Sequence, residues 1–486
     1  MDTWHERARA LTPKTDAFID GRPHGSAGSF HTSSAIGGTR EIAECDASDV
    51  DHAVSAAKRA FDDGRWSALA PIERKQRMLA FADLIEANCE ELALLETLDV
   101  GKPIGESLRV DAPSAANTVR WYAEAIDKRY DEIAPSGPDS LAFVTREPLG
   151  VIGAVVPWNY PMIISMWKVA PALATGNSVV LKPAEQSPLT AIALAHLASQ
   201  AGIPDGVFST VPGTGPVTGR ALGEHPLVDK IAFTGSPETG ARFLAYASES
   251  NLKQVALELG GKSPHVVLSD AGDMASIAET IAWGIFYNAG QTCHAGSRVI
   301  IHPDRRDELL EHLRTFVSAF AVGDPLDPAT QMGPLVDAEQ LERVAGYVDL
   351  AQGDGAAIAV QSEMDASGAF YPPTVLTDVP ANSRAVREEI FGPVLIVQTA
   401  DDDEAAIAAA NDTDYGLAAA VWSRDIARAN RAARRIRAGT VWINTFDAAD
   451  IVTPFGGFDR SGFGRDRSLH ALDSYTALKT TWTALD

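Results

Sequence analysis

Cys293 lies in the segment Gly290-Gln291-Thr292-Cys293-His294-Ala295-Gly296-Ser297-Arg298, directly after the apolar run Ile281 to Tyr287. It is one of three cysteines in the chain. It follows a glycine and is flanked by small and polar residues, a setting that suits a thiol meeting a substrate better than one filling a core. The thiolate is the strongest nucleophile among the common side chains. Two other residues have types that can serve it. Glu258, in Leu257-Glu258-Leu259-Gly260-Gly261-Lys262, sits among apolar residues at the end of a predicted strand. Burial there raises a carboxyl pKa toward that of a general base; pairing with Lys262 or capping a turn is the ordinary alternative. Asn159, in Pro157-Trp158-Asn159-Tyr160-Pro161, interrupts an apolar run. Its amide can donate to an oxyanion or simply form a turn beside proline.

Two further segments have the chemistry of a phosphate and ribose site. Phe233-Thr234-Gly235-Ser236-Pro237-Glu238-Thr239-Gly240 follows a predicted strand and opens a helix. Gly235 lets backbone approach a phosphate, and Ser236 can cap the helix and donate to the anion. Lys182-Pro183-Ala184-Glu185 ends another strand. An acidic side chain at such a place hydrogen-bonds ribose hydroxyls, and Glu185 repels a 2′-phosphate, which favours NAD over NADP. Taken singly, each segment also reads as an ordinary turn.

The elements that must position these residues are legible in the hydrophobic pattern. The chain has 486 residues, 45% of them hydrophobic and 22% charged, with a net charge of −24. This is the composition of a well-cored globular protein of several domains. No basic footprint for nucleic acid is visible. Three cysteines without CxxC spacing fit a reducing cytoplasm, the first residues lack the apolar stretch of a signal peptide, and no metal-ligand set stands out. The uncharged run Gly150 to Trp167 contains Pro157, Asn159 and Pro161, so it reads as a strand, loop and helix and not as a membrane span.

The first ~45 residues read as short strands and turns. Helices are predicted over 49–61, 71–100 and 115–127. From 150 onward short strands (151–156, 178–181, 207–211, 230–234, 254–259) alternate with helices (167–174, 187–201), the pattern of a doubly wound parallel sheet. A second alternation follows, with strands over 265–268 and 298–301 and helices over 274–288 and 304–320. Cys293 falls in one of its loops. Residues 476–482 alternate like an exposed strand that needs a partner, which points to a homo-oligomer.

The quoted segments, in this order, resemble the aldehyde dehydrogenase superfamily. So do Glu389-Ile390-Phe391-Gly392-Pro393-Val394, Asn411 to Leu417, and Pro454-Phe455-Gly456-Gly457. The resemblance runs from about residue 18 to the C-terminus, and the Glu258 and Cys293 blocks carry most of it. It implies an α/β fold in three parts: a Rossmann-like NAD domain (1–126 and 148–259), an α/β catalytic domain (260–465), and a small β bridging and oligomerisation arm (127–147 and 466–486). It also implies a homodimer or homotetramer.

The implied reaction oxidises an aldehyde to a carboxylic acid. Cys293 adds to the aldehyde, Asn159 and the Cys293 N–H hold the oxyanion, and Glu258 activates the water that hydrolyses the thioester. Val156, Trp158, Lys182, Glu185, Gly215, Phe233, Gly235, Ser236, Thr239, Leu259, Glu389 and Phe391 are the cofactor residues so implied. Lys168 and Asp466 would relay a proton, although the family often has glutamate at the second position. Asp111, Tyr160, Trp167, Tyr287, Thr292, His294 and Phe455 would line the substrate tunnel.

Adjacent side chains are expected to diverge, so His294 is read as a tunnel residue and not as a base for Cys293. An aromatic tunnel with Asp111 beside it suits an amino- or guanidino-aldehyde or betaine aldehyde through cation–π attraction; the alternative is a broad-specificity enzyme for aliphatic and aromatic aldehydes. A CoA-acylating relative would lack the Glu258 carboxylate. A cofactor-free cysteine hydrolase would have no use for Lys182, Glu185 and Glu389. A non-catalytic relative would not need Asn159, Glu258 and Cys293 together.

Overall fold

The computed structural model describes residues 3–33, 38–364 and 368–485. Runs of apolar, largely β-branched residues bounded by glycine or proline build two parallel sheets. The first has eight strands in the order Arg22–His24, Ala17–Ile19, Phe208–Thr210, Ser178–Lys182, Val151–Val155, Lys230–Thr234, Gln254–Glu258, Gly462–Phe463. Its five central strands run parallel. All five residues of Val151–Val155 are buried, as they must be when helices cover both faces. The chain winds from this strand toward Phe208–Thr210 on one side and toward Gln254–Glu258 on the other. The switch point therefore lies between Val151–Val155 and Lys230–Thr234, where ligands bind at the strands' carboxyl ends. Register brings Lys182 level with Val155 and Thr234 level with Glu258, so the predicted cofactor and base residues share one edge.

The second sheet runs Ala357–Gln361, Thr374–Thr377, Val394–Thr399, Arg298–Ile301, Pro264–Val267, Ala418–Trp422, Thr440–Ile443. Only Ala357–Gln361 is antiparallel. Residues 259–263 cross from the end of one sheet to the start of the other. Cys293 precedes the amino end of Arg298–Ile301, so it stands where the amino edge of the second sheet meets the carboxyl edge of the first. Each sheet packs apolar residues on both faces: the first around Trp66, Phe81, Tyr122, Met162 and Leu181 and around Val155, Val180 and Phe233, the second around Ile281, Phe286, Leu309, Ile396 and Trp422 and around Val266, Ile300 and Val421. A third, antiparallel sheet pairs Thr476–Ala484 with Ser140–Pro148 along nine residues, and Glu132–Ala134 flanks the latter.

Several predicted elements differ in extent, for local reasons. The stretch predicted as one helix over 71–100 is two, Pro71–Ala87 and Cys89–Val100, broken at Asn88, whose side-chain amide donates to the Leu84 carbonyl at 2.7 Å. The helix expected from 167 starts at Pro161, a residue whose fixed φ suits the first turn. A helix absent from the sequence reading, Trp4–Ala10, is set by a reciprocal Thr3–Glu6 capping box. Among the described residues no helix is long and apolar enough to cross a membrane.

The helix Met274–Phe286 ends short of 288 because Asn288, Ala289 and Gly290 all adopt left-handed backbone, with φ of 50°, 54° and 72°. This turn delivers the Cys293 loop. A Cβ on Gly290 would lie 2.1 Å from the Gly392 carbonyl oxygen. Gly290→Ala is expected to lower unfolding free energy by about 2 kcal/mol or more; a urea midpoint equal to that of the unaltered protein would contradict this.

Candidate active site

Cys293 and His294 occupy the two corners of a turn closed by the Ala295 N–H donating to the Thr292 carbonyl at 3.0 Å. In a strand their side chains would diverge; in a turn they converge. Cys293 Sγ lies 3.8 Å from His294 Nδ1, and His294 Nε2 lies 2.8 Å from Asp447 Oδ1. The expectation that the two side chains point apart is thus corrected. His294 also packs edge-on against Phe455, with ring centroids 5.6 Å apart. Burial, followed by the negative charges of Glu258 and Glu389, pushes the Cys293 thiol well above its usual range.

Glu258 ends its strand fully inside the protein. Neither of its oxygens has a hydrogen-bond partner among the described residues, and neither has the Lys262 ammonium. The ion pair that was its structural alternative does not form. Burial raises the Glu258 carboxyl to about 7, against the opposing pull of Lys168. Lys168 and Asp466 are both buried and in direct contact; aspartate reaches the lysine although it is one methylene shorter than glutamate. The strand-like pairing of Asp466 with Phe455 holds that contact in place.

Asn159 is buried and donates through Nδ2 to the Gln291 carbonyl at 2.9 Å. Its own carbonyl accepts from Asn288 Nδ2 at 3.1 Å. An amide NH2 has two hydrogens, so one remains for an acceptor beside the thiol. Gln291 in turn donates to Asn288 O and accepts from Val336 N–H, fixing the loop before Cys293.

The cofactor candidates line the first sheet's carboxyl edge. Glu185 accepts from the Gly215 N–H at 2.5 Å and lies 3.8 Å from Lys182 Nζ. Lys182, otherwise buried, donates to the Pro183 carbonyl, and burial lowers its pKa. The Val156 N–H donates to the Lys182 carbonyl. Ser236 caps the helix Pro237–Glu249, accepting from the Thr239 N–H, so that helix presents its positive end at the same edge. Gly235 is required there, since a Cβ would lie 2.6 Å from the Phe233 ring. On the second sheet's side, the Glu389 carboxylate accepts from the Gly261 N–H at 3.0 Å, and burial raises it to about 7. Phe391, at a φ of 62°, meets Trp158 edge to face at 5.3 Å. Leu259 donates to the Ser461 carbonyl at 3.1 Å. These groups fit a dinucleotide: a cationic and acidic pair for a ribose, a helix end for phosphates, and a second carboxylate nearer the thiol.

The tunnel candidates are gathered around Cys293, but not as an open aromatic box. The Tyr160 hydroxyl contacts Thr292 Oγ1 at 2.7 Å, and the buried Tyr287 hydroxyl has no partner among the described residues. Trp167 and Phe455 lie 5.5 Å apart. Asp111 does not present free charge: Lys102 pairs with it at 2.7 Å and with Glu96 at 3.1 Å, and the Lys102 ammonium also sits 4.0 Å from the Tyr160 ring centroid. The Arg467 guanidinium stands 5.5 Å from both the Trp167 and Phe455 rings. It bonds Thr453 and has no ion-pairing carboxylate among the described residues. Sequence reasoning missed Lys102, Asp447 and Arg467. Asp447 and Arg467 meet His294 and Trp167 from elements distant in the chain, and Lys102 folds back onto Asp111 from nine positions before it.

This fold and site belong to a class of oxidoreductases with a cysteine nucleophile at the meeting edge of two parallel sheets. The aldehyde dehydrogenase family model matches residues 34–481. The chain is 49% identical over 471 residues to an aminoacetaldehyde dehydrogenase of Pseudomonas aeruginosa, covering 96% of this chain and 95% of that one. It is 46% identical to the NADP/NAD-dependent aldehyde dehydrogenase PuuC of Escherichia coli, covering 99% and 98%. The crystal structure of an indole-3-acetaldehyde dehydrogenase complexed with NAD+ superposes with a TM-score of 0.97 at 48% identity over all of both chains. The chain therefore belongs to the aldehyde dehydrogenase family; it is an aldehyde-oxidising enzyme that uses a nicotinamide cofactor.

Because the folded state raises the Glu258 carboxyl from 4.5 to about 7, it holds a proton that the unfolded chain releases. The stabilisation this brings is complete below about pH 4.5 and is lost as pH rises through about 7. Glu258→Gln is expected to leave stability unchanged near pH 4 and to raise it by on the order of 3 kcal/mol at pH 8. Denaturation midpoints at the two pH values check this, and an equal change at both would contradict it.

Proposed function

We propose that the chain oxidises an aldehyde to its carboxylic acid by covalent catalysis at Cys293, with NAD as the preferred cofactor. The observation that carries this reading is the buried Glu258 carboxylate, kept free of ion pairing beside the Cys293 thiol. The Cys293 sulfur forms a bond to the aldehyde carbon, and the carbonyl electron pair moves to oxygen. Asn159 Nδ2 and the Cys293 backbone N–H donate to that oxyanion, each donor contributing about 3–4 kcal/mol. When bound, the nicotinamide supplies the hydride acceptor that an aldehyde, which lacks a leaving group, requires. Glu258 then removes a proton from the water that attacks the Cys293 thioester, and the Lys168–Asp466 pair passes that proton outward.

In this reading residues 1–126 with 148–259 form the cofactor domain, 260–465 the catalytic domain, and 127–147 with 466–486 the arm. Lys182 and Glu185 hold the adenosine ribose, Gly235, Ser236 and Thr239 the pyrophosphate, and Glu389 the nicotinamide ribose, with Val156, Trp158, Gly215, Phe233, Leu259 and Phe391 shaping the cleft. Glu185 supports NAD over NADP by charge repulsion of a 2′-phosphate. The free outer edge of Thr476–Ala484, with Leu478 and Trp482 exposed, supports a homodimer or homotetramer. Three free cysteines support the cytoplasm.

For the substrate, likeness to the aminoacetaldehyde enzyme supports an amino- or guanidino-aldehyde. A second reading, broad activity on aliphatic and aromatic aldehydes, is favoured by Lys102 and Arg467, which already cover the aromatic rings.

One set of measurements tests this. Cys293→Ala should produce no NADH from a panel of 4-aminobutanal, betaine aldehyde, benzaldehyde and hexanal, while NAD still quenches tryptophan fluorescence, and more tightly than NADP does. Turnover near that of the unaltered enzyme would sink the assignment of Cys293. Tighter NADP binding would sink that of Glu185.

A further inference from the structure

We infer that His294, oriented by Asp447, takes the Cys293 thiol proton, so that thiol activation and thioester hydrolysis have separate bases. The inference rests on Cys293 being the nucleophile. His294 Nδ1 lies 3.8 Å from Cys293 Sγ, and Nε2 lies 2.8 Å from Asp447 Oδ1. A carboxylate only accepts, so its partner Nε2 carries the hydrogen, which leaves Nδ1 as a lone-pair acceptor facing the sulfur. The ring is held on several sides by Phe455, Trp442 and Phe446, with centroids 5.6, 6.0 and 6.2 Å away. Asp447 sits in left-handed backbone at a φ of 55°, a conformation that aspartate tolerates better than most residues.

Charge balance favours His294 over Glu258 for this step. Glu258 and Glu389 both face the thiol, and each opposes its ionisation. Transfer to His294 breaks the S–H bond, places the proton on Nδ1 and creates an imidazolium between the thiolate and Asp447. The sulfur pair then forms the C–S bond. When the thioester is hydrolysed, the departing thiolate recovers the proton. The other charges near this array are Lys168 and Asp466 behind Glu258, Lys102 and Asp111 behind Tyr160, and Arg467, whose guanidinium lies over the Phe455 ring and feels Asp447.

The experiment reads the thiol itself. Iodoacetamide alkylation of Cys293 is followed against pH in the full-length enzyme, with and without NAD, and resolved from Cys45 and Cys89 by peptide mass spectrometry. His294→Gln should slow alkylation at pH 7 by about 10-fold or more and move the midpoint of the profile to higher pH. Asp447→Asn, which keeps the volume but donates to Nε2 and so turns the Nδ1–H toward the sulfur, should move it in the same direction. Glu258→Gln should not slow alkylation. A profile unchanged by both His294→Gln and Asp447→Asn would overturn the inference, and so would a Glu258→Gln variant that reproduces the loss. A purely structural role for His294 would lower the melting temperature without moving the profile. Since no aldehyde enters this assay, its failure is distinct from a failure of Cys293→Ala to abolish NADH production.

Discussion

The site depends on the crossing between the two sheets at residues 259–263. Ser461 clamps it: its carbonyl accepts from Leu259 N–H at 3.1 Å, and its buried hydroxyl donates to the Gly260 carbonyl at 2.7 Å while accepting from Gly416 N–H at 3.0 Å. Glu389 holds the next residue, Gly261, through its N–H. Both glycines sit in close contacts. A Cβ on Gly260 would strike the Glu389 carboxylate at 2.1 Å, and one on Gly261 would meet the Cys293 carbonyl at 2.7 Å. This contact of backbone with backbone brings the loop of the second sheet against the last strand of the first. The Glu258 end of one sheet and the Cys293 loop of the other are thereby held together by their backbones.

The same arrangement is costly. Glu258 is a carboxyl in low dielectric without an ion partner, and the Cys293 thiol is more difficult to ionise beside it. Such groups reduce stability in the form that works. The fold can carry them because strong packing lies on either side, in separate apolar cores on both faces of each sheet, and because several neighbouring charges are closed into pairs. Lys168 meets Asp466, and Lys102 meets Asp111 and Glu96.

Much of this was legible in the sequence because it is local. The parallel strands declare themselves by short apolar runs, and Arg298–Ile301 and Lys230–Thr234 fall where the pattern puts them. Cys293, Glu258 and Asn159 are marked by residue types that clash with their surroundings. Ser236 as a helix cap follows from one serine before a proline. What was not legible depends on distance or on turn geometry. His294 was read as diverging from Cys293 because alternation was assumed, whereas the turn closed at Ala295 makes them converge. Asp447 lies 153 positions from His294, and Arg467 reaches the Trp167 ring from the far end of the chain. The charge on Asp111 looked available for substrate because Lys102, nine positions before it, carries no local sign of folding back onto it.

The central claim is that the acyl group of the aldehyde passes through a covalent bond to Cys293. It is tested most directly by quenching Glu258→Gln with acid after mixing it with NAD and an aldehyde substrate, then measuring the mass of the peptide that contains Cys293. The account predicts that this peptide gains the mass of the acyl group on sulfur and loses it in hydroxylamine. An unmodified Cys293 peptide under conditions where NADH has formed, or the acyl mass on another residue, would contradict it.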